Sequence, residues 1–280
     1  MIEYLYLGSV RYDEGLRLQS EVAALRLAGR VDNTLLLLEH PPVLTLGRNA
    51  RRENVLASDE LLARRGVTLH EINRGGDVTY HGPGQLVGYP IFDLRSLVNG
   101  KGGRLGPVDF VRMMEEVLIR LCGVYGVRAG RIAGLTGVWC GLHSLADGSL
   151  LEEGPGKERK VGAIGIHVSR GITSHGFAFN VTTDLHDFQL INPCGITDKP
   201  VTSLEREIPE GVSLPGLEEM AHQAARQFGQ VFAQQVLAVE NLDALRAQAA
   251  KRERQPEDTP LQVPSEVERL HGDPERPVRA

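Results

Sequence analysis

Cys194, in the loop-like stretch INPCGI, and Lys160, at the head of the strand-like run KVGAIGIHV, are the residues of this chain whose types could do chemistry together. A thiol attacks well only as its thiolate, and a nearby ammonium both favours that form and can later trade a proton with an incoming amine. The pair points to acyl transfer through a thioester. That reaction needs a place to hold the acyl group, and RGGDVTYHGPGQ, from Arg74 to Gln85, has the composition for one. Its glycines at 75, 76, 82 and 84 permit close backbone approach and positive φ, and Pro83 stiffens the loop between them. The same glycines would also suit two tight turns around a strand. With no GxGxxG and no GK[ST], nucleotide-phosphate loops drop out.

Other chemistry-bearing residues have blander roles. Cys122 falls on the apolar stripe of a helix and reads as packed core. Cys140 and His143 have the spacing of half a zinc site, but no second pair follows, so no metal and no cofactor is expected. His167 and His175 lie in strand-like runs and read as structural or surface residues, whereas His81 is expected to touch substrate rather than act as a general base. Arg48, Arg51, Arg52 and Arg74 are candidate contacts for an acidic partner.

The elements that must position these residues mix strands and helices without regular alternation. Strands are expected near 2–7, 33–39, 67–72, 77–80, 86–92, 127–131, 136–140, 160–168 and 175–181. Several are joined by hairpin-length connections, so part of the sheet should be antiparallel. Helices are expected over 13–28, after the N-cap candidate Ser58, over 107–124 beginning at Pro107, and over about 215–237. Residues 141–159 read as an exposed loop or extended hairpin. A catalytic domain is expected over 1–240, followed by a charged, proline-containing and largely unfolded extension over 241–280.

The whole chain sets limits on this reading. Its 280 residues, 41% of them hydrophobic, can bury a full core. A formal net charge of -5 with no concentrated basic face argues against nucleic acid as a partner. No leader-like start and no membrane-length apolar run is visible, and three unevenly spaced cysteines make no disulfide framework, so a cytoplasmic location is expected; a monomer is expected because the fold would close its own core.

RGGDVTYHGPGQLVGYPIFDL, then KVGAIGIHVSRGITSHGFAFNV, then INPCGI, taken in this order, resemble the lipoyl(octanoyl) transferases over about residues 1–237. The resemblance implies an α+β fold like that of the biotin and lipoate protein ligases: a mixed, largely antiparallel sheet flanked by helices. It implies transfer of octanoyl from octanoyl-acyl-carrier protein to a lysine of lipoyl domains, those of 2-oxoacid dehydrogenase E2 subunits and the glycine cleavage H protein. By position, Cys194 would be the acyl-thioester nucleophile and Lys160 the residue that lowers its pKa. The octanoyl-binding residues would be Arg74, Gly75, Gly76, Asp77, Val78, Thr79, Tyr80 and His81, then Ala163, Ile164 and Gly165, then Gly176, Phe177 and Ala178. Asp77 stands where many relatives have glutamine, and the 141–159 segment and the tail are long for the family. Small residues on neighbouring strands would leave a tunnel for an unbranched chain, at ~0.8 kcal/mol per buried CH₂. Two rival functions stay open: an ATP-dependent lipoate or biotin ligase on the same fold, which needs no cysteine, and a non-catalytic acyl-chain or carrier-binding module.

Overall fold

The computed structural model describes residues 1–98, 102–144, 150–152, 158–192 and 199–253. In chain order the elements are β1 (Ile2–Ser9), α1 (Tyr12–Leu27), β2 (Asn33–Glu39), β3 (Val43–Leu46), α2 (Asp59–Arg64), β4 (Thr68–Glu71), β5 (Val78–His81) and β6 (Gln85–Ile91). These are followed by α3 (Pro107–Val124), β7 (Gly130–Ile132), β8 (Leu135–Cys140), β9 (Leu142–Ser144), β10 (Leu150–Glu152), β11 (Arg159–Ser169) and β12 (Ile172–Asn180). The last are α4 (Leu204–Glu207), α5 (Leu217–Phe232), β13 (Val236–Ala238) and α6 (Leu242–Glu253). Among the described residues no helix is long and apolar enough to cross a membrane.

Eight strands form the main sheet in the order β13-β1-β2-β6-β12-β11-β8-β7. The pairs β13–β1 and β1–β2 run parallel, and every other pair in it is antiparallel. The expected mixed, largely antiparallel sheet is the observed one. β2 shows why a continuous LLLL run belongs at its centre. Successive side chains alternate faces, so Leu35 and Leu37 join the core under α3 and α5, while Leu36 and Leu38 join the one under α1. α3 starts with Pro107 in its first turn and buries Phe110, Met114, Val117, Leu118 and Leu121. α2 is capped as expected: the Ser58 hydroxyl oxygen accepts from the Leu61 amide at 3.3 Å.

A small second sheet, β4-β3-β5, holds its own core with Leu44, Leu46, Val78 and Tyr80, and positions the glycine-rich segment. β3 was not expected, because the Pro41–Pro42 pair reads as the end of a strand rather than the corner between two. The last long helix stops at Phe232, five residues short of the reading, where Ala233 turns left-handed at φ 50°. The chain then lays β13 parallel to β1 and continues into α6, which buries Leu245 and Ala249 on the core under α1. Residues 242–253 are therefore ordered structure within what reads as an extension, and 254–280 lie outside the described residues. In the 141–159 stretch, β9 and β10 pair as an antiparallel hairpin.

Candidate functional site

A cavity of about 320 Å³ lies over β11 and β12 and is closed by the glycine-rich segment and α1. Segments far apart in sequence meet there: Arg74, Gly76, Asp77, Val78, Thr79 and His81; Lys160, Gly162, Ala163, Ile164 and Gly165; Gly176, Phe177 and Ala178. Antiparallel register sets Ala163 against Ala178 and Gly165 against Gly176, so two methyls and two glycines form one patch of its floor. The glycines are small for a reason other than an empty tunnel. A Cβ on Gly165 would come within 2.6 Å of the Gly75 carbonyl, one on Gly176 would strike the Gly88 carbonyl, and one on Gly162 would press Leu118 of α3 at 2.9 Å. Close backbone packing requires them, and the cavity is shaped by what that packing leaves.

The loop between β4 and β5 is stitched down on both sides. The Gly75 amide donates to the Ile166 carbonyl at 2.9 Å, and the Arg48 and Asn49 amides donate to the carbonyls of Arg74 and Gly76 at 3.0 and 3.2 Å. Arg74 is buried, and its guanidinium donates to the Thr45 carbonyl and hydroxyl and to the Gly75 carbonyl. It is therefore not at the surface to meet a partner, contrary to the sequence reading. Arg48, Arg51 and Arg52 are exposed, the last two beside Glu53 and Asp59. Asp77 accepts from the Asn54 side-chain amide at 2.6 Å and from the Val78 amide at 2.7 Å. Two residues of the expected wall do not line the cavity: Gly75, and Tyr80, whose hydroxyl donates to Asp187 while its ring packs on Phe188.

Lys160 sits half-buried at one end, its Nζ 4.6 Å from the centre of the Trp139 ring. Its amide donates to the Pro200 carbonyl and its carbonyl accepts from the Thr202 amide, so residues 200–202 lie beside β11. Cys194 falls within 193–198, which lie outside the described residues. The chain enters that segment at Asn192, whose amide donates to the Asn54 carbonyl at 2.7 Å, and it re-emerges beside Glu158, which pairs with Lys199 at 3.1 Å. The other two thiols are buried: burial lifts Cys140 to about 12 and Cys122 well above the usual range, so neither supplies a thiolate at neutral pH. No group of residues suited to hold a metal occurs among those described.

Sequence reasoning missed several cavity residues: Tyr12, Gln85, Tyr89, Asn180, Phe188 and Val201. Gln85, Tyr89 and Asn180 carried a signal, since all three fall within the motifs quoted for the family resemblance. His175, read as structural or surface, also lines the cavity; it is a non-glycine residue at φ 55°, held by Asn73 through Nε2 at 2.8 Å and by Gln19 through its amide. Burial is the main cause that pushes His81 down to about 3 and His40 and His175 down to about 4, so all three are neutral. A second groove of about 390 Å³, lined by Arg48, Val108, Arg112 and His167, shares Thr136 with the cavity. The arrangement can hold an apolar chain along β12, with Lys160 among the residues that line the same cavity.

The lipoyl protein ligase A/B catalytic domain family matches residues 11–229. The chain is 60% identical over 242 residues to an octanoyltransferase of Acidobacterium capsulatum, covering 86% of this chain and 94% of that one. It is 50% identical over 273 residues to an octanoyltransferase of Koribacter versatilis, covering 98% of each. Among solved structures, one of an archaeal lipoylation system from Thermoplasma acidophilum, with a bi-partite lipoate protein ligase, superposes with TM-score 0.62 at 16% identity, over 90% of this chain and 91% of that one. Lipoate-protein ligase A bound with ATP superposes with TM-score 0.59 at 16% identity, over 90% and 94%. At those identities the two structures establish a shared fold.

Proposed function

The chain belongs to the lipoyl protein ligase A/B catalytic domain family and within it to the octanoyltransferases, and from that premise we propose how this acyltransferase of lipoate synthesis works. It takes octanoyl from octanoyl-acyl-carrier protein onto Cys194 as a thioester, then passes it to a lysine of a lipoyl domain. The observation that carries this reading is that Lys160 and the three segments that resemble the family's acyl-binding motifs line one cavity, next to the anchored ends of the segment bearing Cys194.

In the first half-reaction the Cys194 thiolate attacks the thioester carbonyl, the bond to the carrier's sulfur breaks, and the departing thiolate takes a proton from the Lys160 ammonium. In the second, the acceptor lysine's amine forms the new C–N bond, the Cys194 sulfur leaves, and the now neutral Lys160 collects the amine's proton. Both groups end as they began. Apolar contacts along β11 and β12 supply chain affinity at ~0.8 kcal/mol per CH₂. The exposed Arg48, on the groove that shares Thr136 with the cavity, is a contact for the acidic carrier.

Intact-protein mass after mixing with octanoyl-acyl-carrier protein tests this. Wild type should gain a hydroxylamine-labile octanoyl adduct, Cys194→Ala none, and Lys160→Ala only slow labelling. Transfer by Cys194→Ala that requires ATP and free acid would replace this reading with that of a ligase.

A further inference from the structure

A buried hydrogen-bond relay fixes the proton on one cavity histidine. Backbone carbonyls only accept, so their partners have a forced polarity. The Thr202 carbonyl receives Asn180 Nδ2 at 2.9 Å, which turns Asn180 Oδ1 toward Gln85 Nε2, also at 2.9 Å. The same Nε2 gives its second proton to the Tyr80 carbonyl at 3.2 Å. Flipping the Gln85 amide would set its oxygen against both of those oxygens. Gln85 Oε1 is therefore the atom 2.8 Å from His81 Nδ1, and that nitrogen carries the proton. The neutral ring has one N–H, so Nε2 is a bare lone pair. It has no hydrogen-bond partner among the described residues, and its residue lines the cavity.

The relay is anchored beside the backbone of Lys160. Asn180 pairs with Gln85 in register, and Gly176 lies four residues back along β12, about 13 Å away at ~3.3 Å per residue. Thr202, which anchors the relay, also donates its amide to the Lys160 carbonyl at 2.9 Å.

We propose that His81 Nε2 accepts a hydrogen bond from the acceptor lysine's amine as it attacks the acyl group, with Gln85 and Asn180 as positioning residues that hold the ring in its Nδ1–H tautomer. This rests on the acyl-transfer reading above. Burial and the neighbouring His40 hold the ring neutral, so it orients the N–H and leaves the proton itself to Lys160.

Ring ¹⁵N NMR of histidine-labelled protein, with separate rates for acyl loading and for aminolysis of the preloaded enzyme, tests it. In wild type the bare nitrogen of His81 should be Nε2. Gln85→Glu should raise the ring's pKa, and aminolysis should then fall as pH drops through the new value while loading does not. His81→Leu should slow aminolysis about tenfold or more, the worth of one good hydrogen bond, and His81→Gln, whose amide oxygen can stand in for Nε2, should restore part of it. An Nε2–H tautomer in wild type, or wild-type aminolysis by His81→Leu, overturns the proposal. Failure of wild type to load acyl at all would instead sink the acyl-transfer reading, and the tautomer would still be read directly.

Discussion

Gly137 holds its backbone at φ 127°, and a Cβ there would meet the Gly162 carbonyl at 2.7 Å and the Lys160 stem at 3.3 Å. Only glycine lets β8 pass this close beneath the lysine, so Gly137→Ala should both strain the strand and displace the ammonium. Adduct formation should slow at least about tenfold, as expected if a positioned proton donor is lost; wild-type labelling rates in this variant would show that Lys160 does not depend on that fit. On the cavity floor, Ala163 faces Ala178. Ala163→Leu should occupy the space of several methylenes, so shorter acyl donors should overtake octanoyl. In wild type, a hexanoyl donor should bind about 15-fold more weakly than octanoyl, two methylenes at ~0.8 kcal/mol each. A chain-length series of carrier-bound acyl groups reads both.

At the scale of elements, α3 does more than cover the sheet. Its fully buried Glu115 accepts from Arg112 at 2.7 Å, from Arg131 at 3.0 Å and from the Gly137 amide at 3.0 Å, so one carboxylate ties the helix to β7 and to the stretch of β8 beneath Lys160. Glu115→Ala would leave a buried amide without a partner, at a cost of roughly 1.5–3 kcal/mol. The urea midpoint should fall accordingly and acyl loading should weaken with it; an unchanged midpoint would show that water replaces the carboxylate. On the outer groove, Arg48→Glu should raise KM for the carrier with little change in kcat, and the effect should shrink at high salt. An unaltered KM would move the carrier's approach elsewhere.

Across the whole molecule, the three neutral histidines His40, His81 and His175 converge on one polar region between α1 and the small sheet. Their rings, near 4, 3 and 4 in the fold, return to about 6.5 on unfolding. The unfolded chain therefore binds protons that the folded one does not, and stability falls as pH drops below about 6.5 toward 4. Each ring contributes at most about 1.4 kcal/mol per pH unit, so the three approach about 4 kcal/mol per unit near pH 5. Asp93, Glu116 and Glu207, whose pKa values are held down by neighbouring arginines, lose their contribution only as pH falls further, through the carboxylate range. Urea midpoints at about pH 7, 6 and 5 separate the two effects. A flat profile over that span would mean that the rings are already charged in the fold.

What the sequence determined by itself is what short-range patterns encode. β2 and α3 have the bounds read from the runs NTLLLLE and PVDFVRMMEEVLIRLCGV, because burial on two faces and a 3.6-residue stripe are local properties. The three motifs also came from local composition and order. β13 and α6 were not legible: a three-residue strand and a helix with few apolar positions form because β1 offers an open edge and the core under α1 an open face. Only the tertiary structure could show that Tyr80 turns out of the cavity and His175 into it, that Arg74 is buried, and that Gln85 and Asn180 join to set the proton on His81. Those outcomes depend on strand register and on carbonyls contributed by residues as distant as Thr202, and hydrogen-bond polarity is decided by which partners the fold brings together.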